Sequence, residues 1–254
     1  YNDDNGQAIR TEYCVSLQNV GNMPKLASGG RVMFYKCSAL KSVGNLSSLT
    51  VIPDSMFEGA SSLTSLGDLS SVTSISKRAF HSCSSLKRLN NLSSLRTIGE
   101  RAFCNCSALV NVSSLSGVTS IGDSAFYGCR SLTSLGSLSS IISIDQWAFT
   151  NCTSLESVGN MNYLTSLGNR AFQGCTSLIS VGNMPKLTQI GENAFANCSA
   201  LASVGSLSSV TSIGDHAFLS CGSLKTIGSM SKAQTIGMGA FASCKSLVSI
   251  TSLN

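Results

Sequence analysis

The chain has 254 residues, of which 43% are hydrophobic and only 11% are charged, and its formal net charge is +5. No apolar run approaches the roughly 18 to 20 residues that a membrane-spanning helix needs, so we expect no membrane insertion in this segment. Because the apolar residues recur at regular intervals, the sequence is also not the flexible Ser/Gly tract that its low charge could suggest.

A 23-residue period organises nearly the whole chain. Residues 1–8 are predicted to form an N-terminal tail, and a degenerate first repeat has Thr11 where later repeats have phenylalanine. All ten phenylalanines are 23 residues apart: Phe34, Phe57, Phe80, Phe103, Phe126, Phe149, Phe172, Phe195, Phe218 and Phe241. Residues 9–254 are therefore predicted to form a single solenoid domain of about ten to eleven stacked repeats, the last of them incomplete.

Each repeat is predicted to contain one strand and one tight turn. The unit reads I-G-x-x-A-F-x-x-C-x-S-L-x-S-V-G-S-L-S-S-V-T-S. Its L-x-x-V/L segment, as at residues 132–135, is predicted to be a strand that stacks in parallel on its neighbours at about 4.8 Å. The I-G-x-x-A-F-x-x-C segment is predicted to form a short helical or 3-10 turn on the convex side, with the phenylalanine packed inward. The predicted fold class is therefore an α/β-type repeat solenoid.

The A-F-x-x-C-x-S-L block, joined to V-T-S-I-G, resembles the BspA-like leucine-rich repeats of bacterial and protist surface proteins over about residues 9–254. The resemblance implies a right-handed leucine-rich-repeat coil, a cell-surface or extracellular location, and binding to host or matrix proteins. One segment differs: the family usually has I-x-I-P after the first leucine, whereas this chain has V-G-S-L or V-G-N-M, as at residues 181–184.

The 11 cysteines are spaced for packing rather than for cross-linking. Ten stand in one column, each three places after the phenylalanine position, and Ala60 replaces cysteine in one repeat. A ladder of buried free thiols is the leading interpretation, with occasional oxidised neighbours as an alternative; no metal site is expected. Cys104 differs because it directly follows Phe103 in a variable column, and we expect it to be the most reactive thiol and to lie at the surface.

No catalytic constellation is apparent in the sequence. His81 and His216 lie six repeats apart, too far to share a metal ion or a triad, and are interpreted as solvated turn residues. No serine has a recurrent histidine and acid within reach, and the repeated glycines mark turns rather than a phosphate site. The sequence therefore predicts a protein that is not an enzyme and has no cofactor.

Candidate binding residues are sought in the columns that vary, since the scaffold columns are nearly fixed. The position after each buried leucine is expected to point outward from the strand, onto the concave face. The candidates in that column are Lys41, Thr64, Lys87, Thr133 and Glu156. The position two places before the phenylalanine holds residue types enriched at binding hot spots. The candidates there are Arg78, Arg101, Trp147 and Arg170.

Six basic residues cluster within 25 positions against one acid, Glu100: Lys77, Arg78, Lys87, Arg88, Arg96 and Arg101. A patch for an acidic glycan, an anionic surface or a partner protein is one interpretation, and a solvated basic region is the other. Nucleic acid is not expected, because aromatic residues are not interleaved as stacking platforms.

The leading functional hypothesis is a non-enzymatic interaction or adhesion module of a cell-surface or secreted protein, which binds partner proteins or glycans through its solenoid surface. The alternative is a structural spacer or fragment of a longer array, with end-to-end self-association. A remote alternative is ice binding by the threonine column, which is interrupted by Arg96, Ile142 and Gln234. That column contains Thr73, Thr119, Thr165 and Thr211.

Overall fold

The computed structural model describes residues 13–89, 91–112 and 115–250. The N-terminal tail predicted for residues 1–8 and the last four residues of the chain lie outside these ranges. Within them the chain winds into about ten stacked coils, and each regular coil contains two strands of two residues joined by corners.

The strands are very short and are numbered in chain order. They are β1 (Asn19–Val20), β2 (Ser42–Val43), β3 (Val51–Ile52), β4 (Ser65–Leu66), β5 (Ser74–Ile75), β6 (Arg88–Leu89), β7 (Thr97–Ile98), β8 (Asn111–Val112), β9 (Ser120–Ile121), β10 (Ser143–Ile144), β11 (Ser157–Val158), β12 (Ser166–Leu167), β13 (Ser180–Val181), β14 (Gln189–Ile190), β15 (Ser203–Val204), β16 (Ser212–Ile213), β17 (Thr226–Ile227), β18 (Thr235–Ile236) and β19 (Ser249–Ile250).

Two parallel sheets run along the solenoid. The predicted strand in the L-x-x-V/L segment is confirmed for its last two residues, and pairing always joins equivalent positions, as in Ser157 with Ser180. The repeat at residues 132–135 is an exception, since Ser134 forms only an isolated bridge with Asn111. The V-T-S-I segment forms a second strand, which we did not predict, and this second sheet is continuous over nine strands from β3 to β18.

The first sheet is broken where a glycine column is broken. Glycine follows the strand in most repeats and lies against the coil before it: a Cβ on Gly67 would be 2.6 Å from the carbonyl carbon of Gly44. Asn90 and Ser113 replace this glycine in two successive repeats. The sheet separates into β1-β2-β4, β6-β8 and β11-β13-β15-β17-β19 at these repeats. In repeats such as that of Gly67, a side chain at this position would collide with the backbone of the coil before it.

The third side of each coil carries the A-F motif, and the helical or 3-10 turn predicted there is wrong. The described residues contain no helix; consecutive turns occupy this side. The amides of Ser55, Phe57 and Gly59 donate to carbonyls of the next coil at 2.8–2.9 Å instead of closing a helix. The residues two places before and two places after each phenylalanine have positive φ, such as 53° at Ser55 and 76° at Gly59. This alternation between left- and right-handed conformations prevents a helix.

The core is a stack of identical columns. Neighbouring phenylalanine rings from Phe34 to Phe241 lie 5.0–5.4 Å apart between centroids and within 13° of parallel. Offset stacking of this kind adds about 0.5–1.5 kcal/mol per pair to the burial of the rings.

The cysteine column lies beside the phenylalanines, and its members from Cys37 to Cys221 are buried, as the leading interpretation predicts. From Cys83 onward each thiol of this column bonds to an earlier coil: Cys83 Sγ donates to the Phe57 carbonyl at 3.1 Å, and the contact recurs as far as Cys244 with Phe218. Burial raises the pKa of Cys129, Cys152 and Cys175, so these thiols remain protonated at neutral pH.

Candidate functional site

Two columns of side chains border the turn side of the solenoid. We call the position two places before each phenylalanine the pre-Phe column and the position directly after it the post-Phe column. The pre-Phe column includes Arg78, Arg101, Ser124, Trp147 and Arg170. The post-Phe column includes Glu58, His81, Cys104, Tyr127, Thr150 and Gln173. Residues of one column come from successive coils, so side chains 23 positions apart in sequence are neighbours along the surface.

A groove lies between these columns. One hollow of about 470 Å³ is lined by His81, Arg101, Cys104, Asn105, Ser124, Tyr127 and Trp147. A second hollow of about 350 Å³ is lined by Tyr127, Trp147, Thr150, Asn151, Arg170, Gln173, Gly174 and Asn197. Both hollows share Tyr127 and Trp147, so they adjoin at these residues, and we call the two hollows together the turn-side groove.

Trp147 occupies the centre of the turn-side groove and is held there by its backbone. Its φ is 53°, and its amide donates to the Asn169 carbonyl of the next coil at 2.9 Å. The Arg170 guanidinium lies over the indole ring, with its carbon 5.8 Å from the ring centroid. This cation–π contact orients the arginine along the groove. Cross-coil hydrogen bonds thus fix where both side chains are presented.

One end of the turn-side groove contains three polar side chains in line, from three successive coils. Glu58 Oε1 lies 3.4 Å from His81 Nδ1, and the Ser55 hydroxyl donates to Glu58 Oε2 at 2.6 Å. His81 also forms a side-chain hydrogen bond with Cys104. His81 lies in a turn, as predicted, but its side chain is only 26% exposed and is hydrogen-bonded rather than freely solvated. The surface position expected for Cys104 is wrong, since this residue is only 7% exposed.

The charges at this end are coupled. The hydrogen bond of His81 with Cys104 is the largest cause that raises its pKa to about 9, and the hydrogen bond with Glu58 is the second. The imidazole is therefore protonated at neutral pH. Burial alone would raise the pKa of Glu58, but hydrogen bonds from His81 and Ser55 bring it below its usual value. Arg78 adds positive charge beside Glu58, and its buried Nε has no hydrogen-bond partner among the described residues.

The structure separates the predicted binding residues into two groups. Arg101, Trp147 and Arg170 line the turn-side groove, and Arg78 lies at its Glu58 end. The other predicted residues form a row just before the strands of the first sheet and line neither hollow: Lys41, Thr64, Lys87, Thr133 and Glu156. In that row Lys41, Thr64, Lys87 and Glu156 are exposed. The Thr64 hydroxyl donates to the Lys41 carbonyl of the coil before it at 3.0 Å, so this hydroxyl group joins neighbouring coils.

The basic cluster of the sequence does not form one patch. Arg88 lies in β6 of the first sheet, and Arg96 directly precedes β7 of the second. Lys77 pairs with Glu100 at 2.7 Å. Arg78 and Arg101 therefore remain as the members of this cluster in the pre-Phe column.

The threonine column before the second sheet has a stacking role. Thr73 Oγ1 donates to the Thr50 carbonyl at 3.1 Å, and Thr119, Thr165 and Thr211 make the equivalent bond to the coil before them. Their hydroxyl protons are thus used within the solenoid. The ice-binding alternative stays a prediction.

Sequence reasoning missed Tyr127 and the association of Glu58, His81 and Cys104. Both could have been found from the period, because Glu58, His81, Cys104 and Tyr127 each follow a phenylalanine directly and lie 23 residues apart. His81 and His216 lie six repeats apart, whereas His81 and Cys104 are neighbours in one column.

The part of the chain that the structure describes contains no helix long and apolar enough to cross a bilayer. In the same ranges, no three His, Cys, Asp or Glu side chains are grouped so that they could hold a metal ion.

Stacked 23-residue coils with parallel strands and buried columns of leucine and valine define a leucine-rich-repeat solenoid. The chain belongs to the family of the BspA type leucine rich repeat region, whose model matches residues 12–110, 73–202 and 119–248. Proteins built from such repeats are generally protein-interaction modules. No curated protein matches the chain.

The fold is also found in a solved structure. A leucine-rich repeat protein from Bacteroides ovatus is 24% identical, with 91% of this chain and 74% of that chain covered and a TM-score of 0.50. A leucine rich cell surface protein from Faecalibacterium prausnitzii is 24% identical, with coverages of 94% and 79% and a TM-score of 0.45. The T. pallidum leucine-rich repeat protein is 21% identical, with coverages of 91% and 72% and a TM-score of 0.44. At these identities the likeness concerns the fold.

Proposed function

We propose that this protein is a non-enzymatic interaction module of a cell-surface or secreted protein, and that it binds an acidic segment of a partner protein or glycan in the turn-side groove. The family and its resemblance to surface proteins support the location. The observation that carries the binding site is the placement of two aromatic rings, Tyr127 and Trp147, between Arg101 and Arg170 in one groove.

The residue types of the groove favour binding over a purely structural role. Tryptophan, tyrosine and arginine dominate binding hot spots, because they combine a large contact area with directed hydrogen bonding. Trp147 is the one tryptophan of the chain, and it is partly exposed here rather than buried in the core. A partly exposed tryptophan on a rigid backbone offers contact area to a ligand with little ordering on binding.

The charge of the groove favours an acidic partner. Arg101 and Arg170 offer planar, forked donors that match carboxylate and sulfate groups. His81 adds a positive charge at neutral pH because its pKa is raised to about 9 by hydrogen bonds with Cys104 and Glu58. Left-handed backbone positions locked by cross-coil bonds keep these side chains in place, so little order has to be gained on binding.

The test is binding of two anionic probes, a heparin oligosaccharide and a poly-glutamate peptide, measured by calorimetry at low and physiological salt. Substitutions are chosen from the same column so that the backbone tolerates them: Trp147→Asn, since Asn193 has the same positive φ, and Arg101→Ser, since Ser124 does. We expect each to weaken binding of at least one probe about tenfold or more.

Lys41→Ala and Glu156→Ala on the sheet side are the matched controls and should leave the affinity unchanged. If the sheet-side variants lost binding while Trp147→Asn and Arg101→Ser kept it, the binding surface would be the row before the first sheet. If neither probe bound, or binding survived all four substitutions, the proposal of an anion-binding groove would be wrong.

A further inference from the structure

Cys104 differs from the other described cysteines in its neighbours. It lines the hollow at one end of the turn-side groove, with His81 lining the same hollow. His81 bonds to Cys104 by its side chain and to Glu58 through Nδ1, and Ser55 holds the second oxygen of Glu58. The three side chains therefore form an acid–imidazole–thiol line in which the carboxylate orients the imidazole toward the sulfur.

The ladder cysteines provide the contrast. Cys106, two residues later, turns inward, and its thiol donates to the Phe80 carbonyl at 3.0 Å. Burial raises the pKa of Cys152, which holds the same position in a later coil. An imidazolium beside a thiol has the opposite effect to burial, because it favours the nucleophilic thiolate. Cys104 thus differs from the ladder thiols in having an imidazole as its neighbour in an open hollow.

The surroundings of Cys104 do not suit hydrolysis. A cysteine hydrolase needs free N–H donors for the oxyanion of its intermediate. Here the Cys104 amide donates to the Arg101 carbonyl at 3.2 Å, and the Asn105 amide donates to the Tyr127 carbonyl at 2.7 Å. Exchange with a disulfide needs no oxyanion site, since the leaving group is a thiolate.

We propose that Cys104 is a nucleophilic thiol that captures anionic disulfides in the turn-side groove by thiol–disulfide exchange, with His81 as its positioning residue and proton donor. The Cys104 thiolate attacks one sulfur of the disulfide, a new S–S bond forms and the old S–S bond breaks. The released thiolate takes a proton from the His81 imidazolium or from water. Cys104 is oxidised to a mixed disulfide, and half of the reagent is reduced to a thiol.

The anionic preference follows from what else lines the hollow. Arg101 can pair with a carboxylate, while Tyr127 and Trp147 offer flat apolar surface to the body of the reagent. Among the described residues the structure places no second thiol on this groove, because the neighbouring Cys106 faces the core. The mixed disulfide is therefore expected to persist rather than to be resolved by an internal partner.

The experiment compares two disulfides on the native chain: 5,5′-dithiobis(2-nitrobenzoic acid), which carries carboxylates, and cystamine, which is cationic. Adducts are counted by intact mass and located by peptide mapping. Cys14 is an exposed thiol of the same chain and serves as the internal reference. Cys104 should react first with the anionic reagent, and at least about tenfold more slowly with cystamine.

The variants separate activation from folding. His81→Gln is tolerated by its column, which has glutamine at Gln173, and should slow labelling of Cys104 about tenfold at pH 6.5 without changing Cys14. His216→Gln, at the other histidine, should change neither rate. The difference in Cys104 labelling between the wild type and His81→Gln should shrink as the pH rises past about 9, because His81, whose pKa is raised to about 9, then loses its proton.

The proposal is overturned if Cys14 reacts before Cys104, if both reagents label Cys104 equally, or if His81→Gln leaves the rate and its pH profile unchanged. Circular dichroism of each variant shows whether the solenoid is intact, and a variant that unfolds exposes the ladder thiols and is recognised by multiple adducts. If His81→Gln unfolds the solenoid, Glu58→Gln is used instead, because it leaves His81 and Cys104 in place. Glu58→Gln should also slow the labelling of Cys104. None of these readouts depends on a bound partner.

Discussion

Two glycines at the same position of neighbouring repeats should respond oppositely to substitution by alanine. A Cβ on Gly182 would lie 2.6 Å from both the Asn160 nitrogen and the Gly159 carbonyl carbon, whereas a Cβ on Gly159 meets nothing within 4 Å. Ordinary contacts between such atoms are about 3.5–4.0 Å. Gly182→Ala must therefore push two backbones apart by about 1 Å, and neither backbone can rotate away.

The magnitude follows from the contacts that this movement disturbs. Overpacking costs about 1–3 kcal/mol. Lengthening the bond from the Gly182 amide to the Val158 carbonyl, now 2.8 Å, costs about 1 kcal/mol more. Alanine also lowers the conformational entropy of the unfolded chain, which offsets about 0.4–1 kcal/mol of this destabilisation. Gly182→Ala should thus lower the free energy of unfolding by about 2–3 kcal/mol, while Gly159→Ala should be neutral or raise it by up to about 1 kcal/mol.

Urea unfolding at equilibrium measures both variants, with Trp147 fluorescence and circular dichroism as independent probes. Coincident transitions and an unchanged urea dependence are needed before the free energies are compared, because solenoids can unfold in parts. Equal transition midpoints for the two variants would refute the reasoning, since it rests on the difference between two otherwise equivalent glycines.

Three further outcomes are expected. Phe149→Ala removes a fully buried ring from between two stacked neighbours and should cost about 3–5 kcal/mol in urea unfolding; a loss below about 1 kcal/mol would contradict the stacked core. Ala60→Cys should add about 0.5–1 kcal/mol, because the new thiol can donate to the Phe34 carbonyl as its column neighbours do; reduced thermal stability would show that the slot is too small. His81→Gln should cost about 1 kcal/mol at pH 6, after allowance for solvent screening. Because the folded-state pKa of His81 is raised to about 9 from 6.5, that difference should be complete below about pH 6.5 and vanish as the pH rises past 9; a difference that grew with pH would contradict it.

The period predicted most of the architecture because the core columns repeat without insertion. Phe126 and Phe149 are 23 residues apart and stack at 5.2 Å, so the sequence interval translates directly into one coil. The parallel pairing of equivalent positions follows from the same regularity. The second strand was missed because a two-residue strand such as Ser143–Ile144 is too short to show the alternation of polar and apolar residues that marks a strand. Its isoleucine appears in the sequence only as one more apolar column of the repeat.

The turn side was mispredicted because the sequence carries a mixed signal there. The position two places after phenylalanine has Gly59, Asn105 and Gly128, residues that accept positive φ, and this could have indicated a left-handed conformation. The position two places before it has Arg101 and Trp147, which have no such preference. Their conformation is imposed by hydrogen bonds to the next coil, which no local pattern reveals.

The candidate site was predicted in part for a related reason. Arg101, Trp147 and Arg170 stood out by residue type alone. The groove that joins them requires knowing that the pre-Phe and post-Phe columns face each other across the turn. Once the columns are placed side by side, His81 and Cys104 become neighbours rather than isolated residues.

The direction of the turn-side hydrogen bonds also constrains how the chain can fold. Phe57 and the two left-handed residues around it donate their amides forward, to a coil that is synthesised later. Left-handed backbone costs about 1–2 kcal/mol at each non-glycine residue. The turn-side conformation of a coil is therefore unfavourable until the next coil accepts its hydrogen bonds. The smallest folding nucleus is thus a pair of adjacent coils. Growth from such a pair closes loops of about one repeat at every step, so the entropy lost per added coil stays constant along the array.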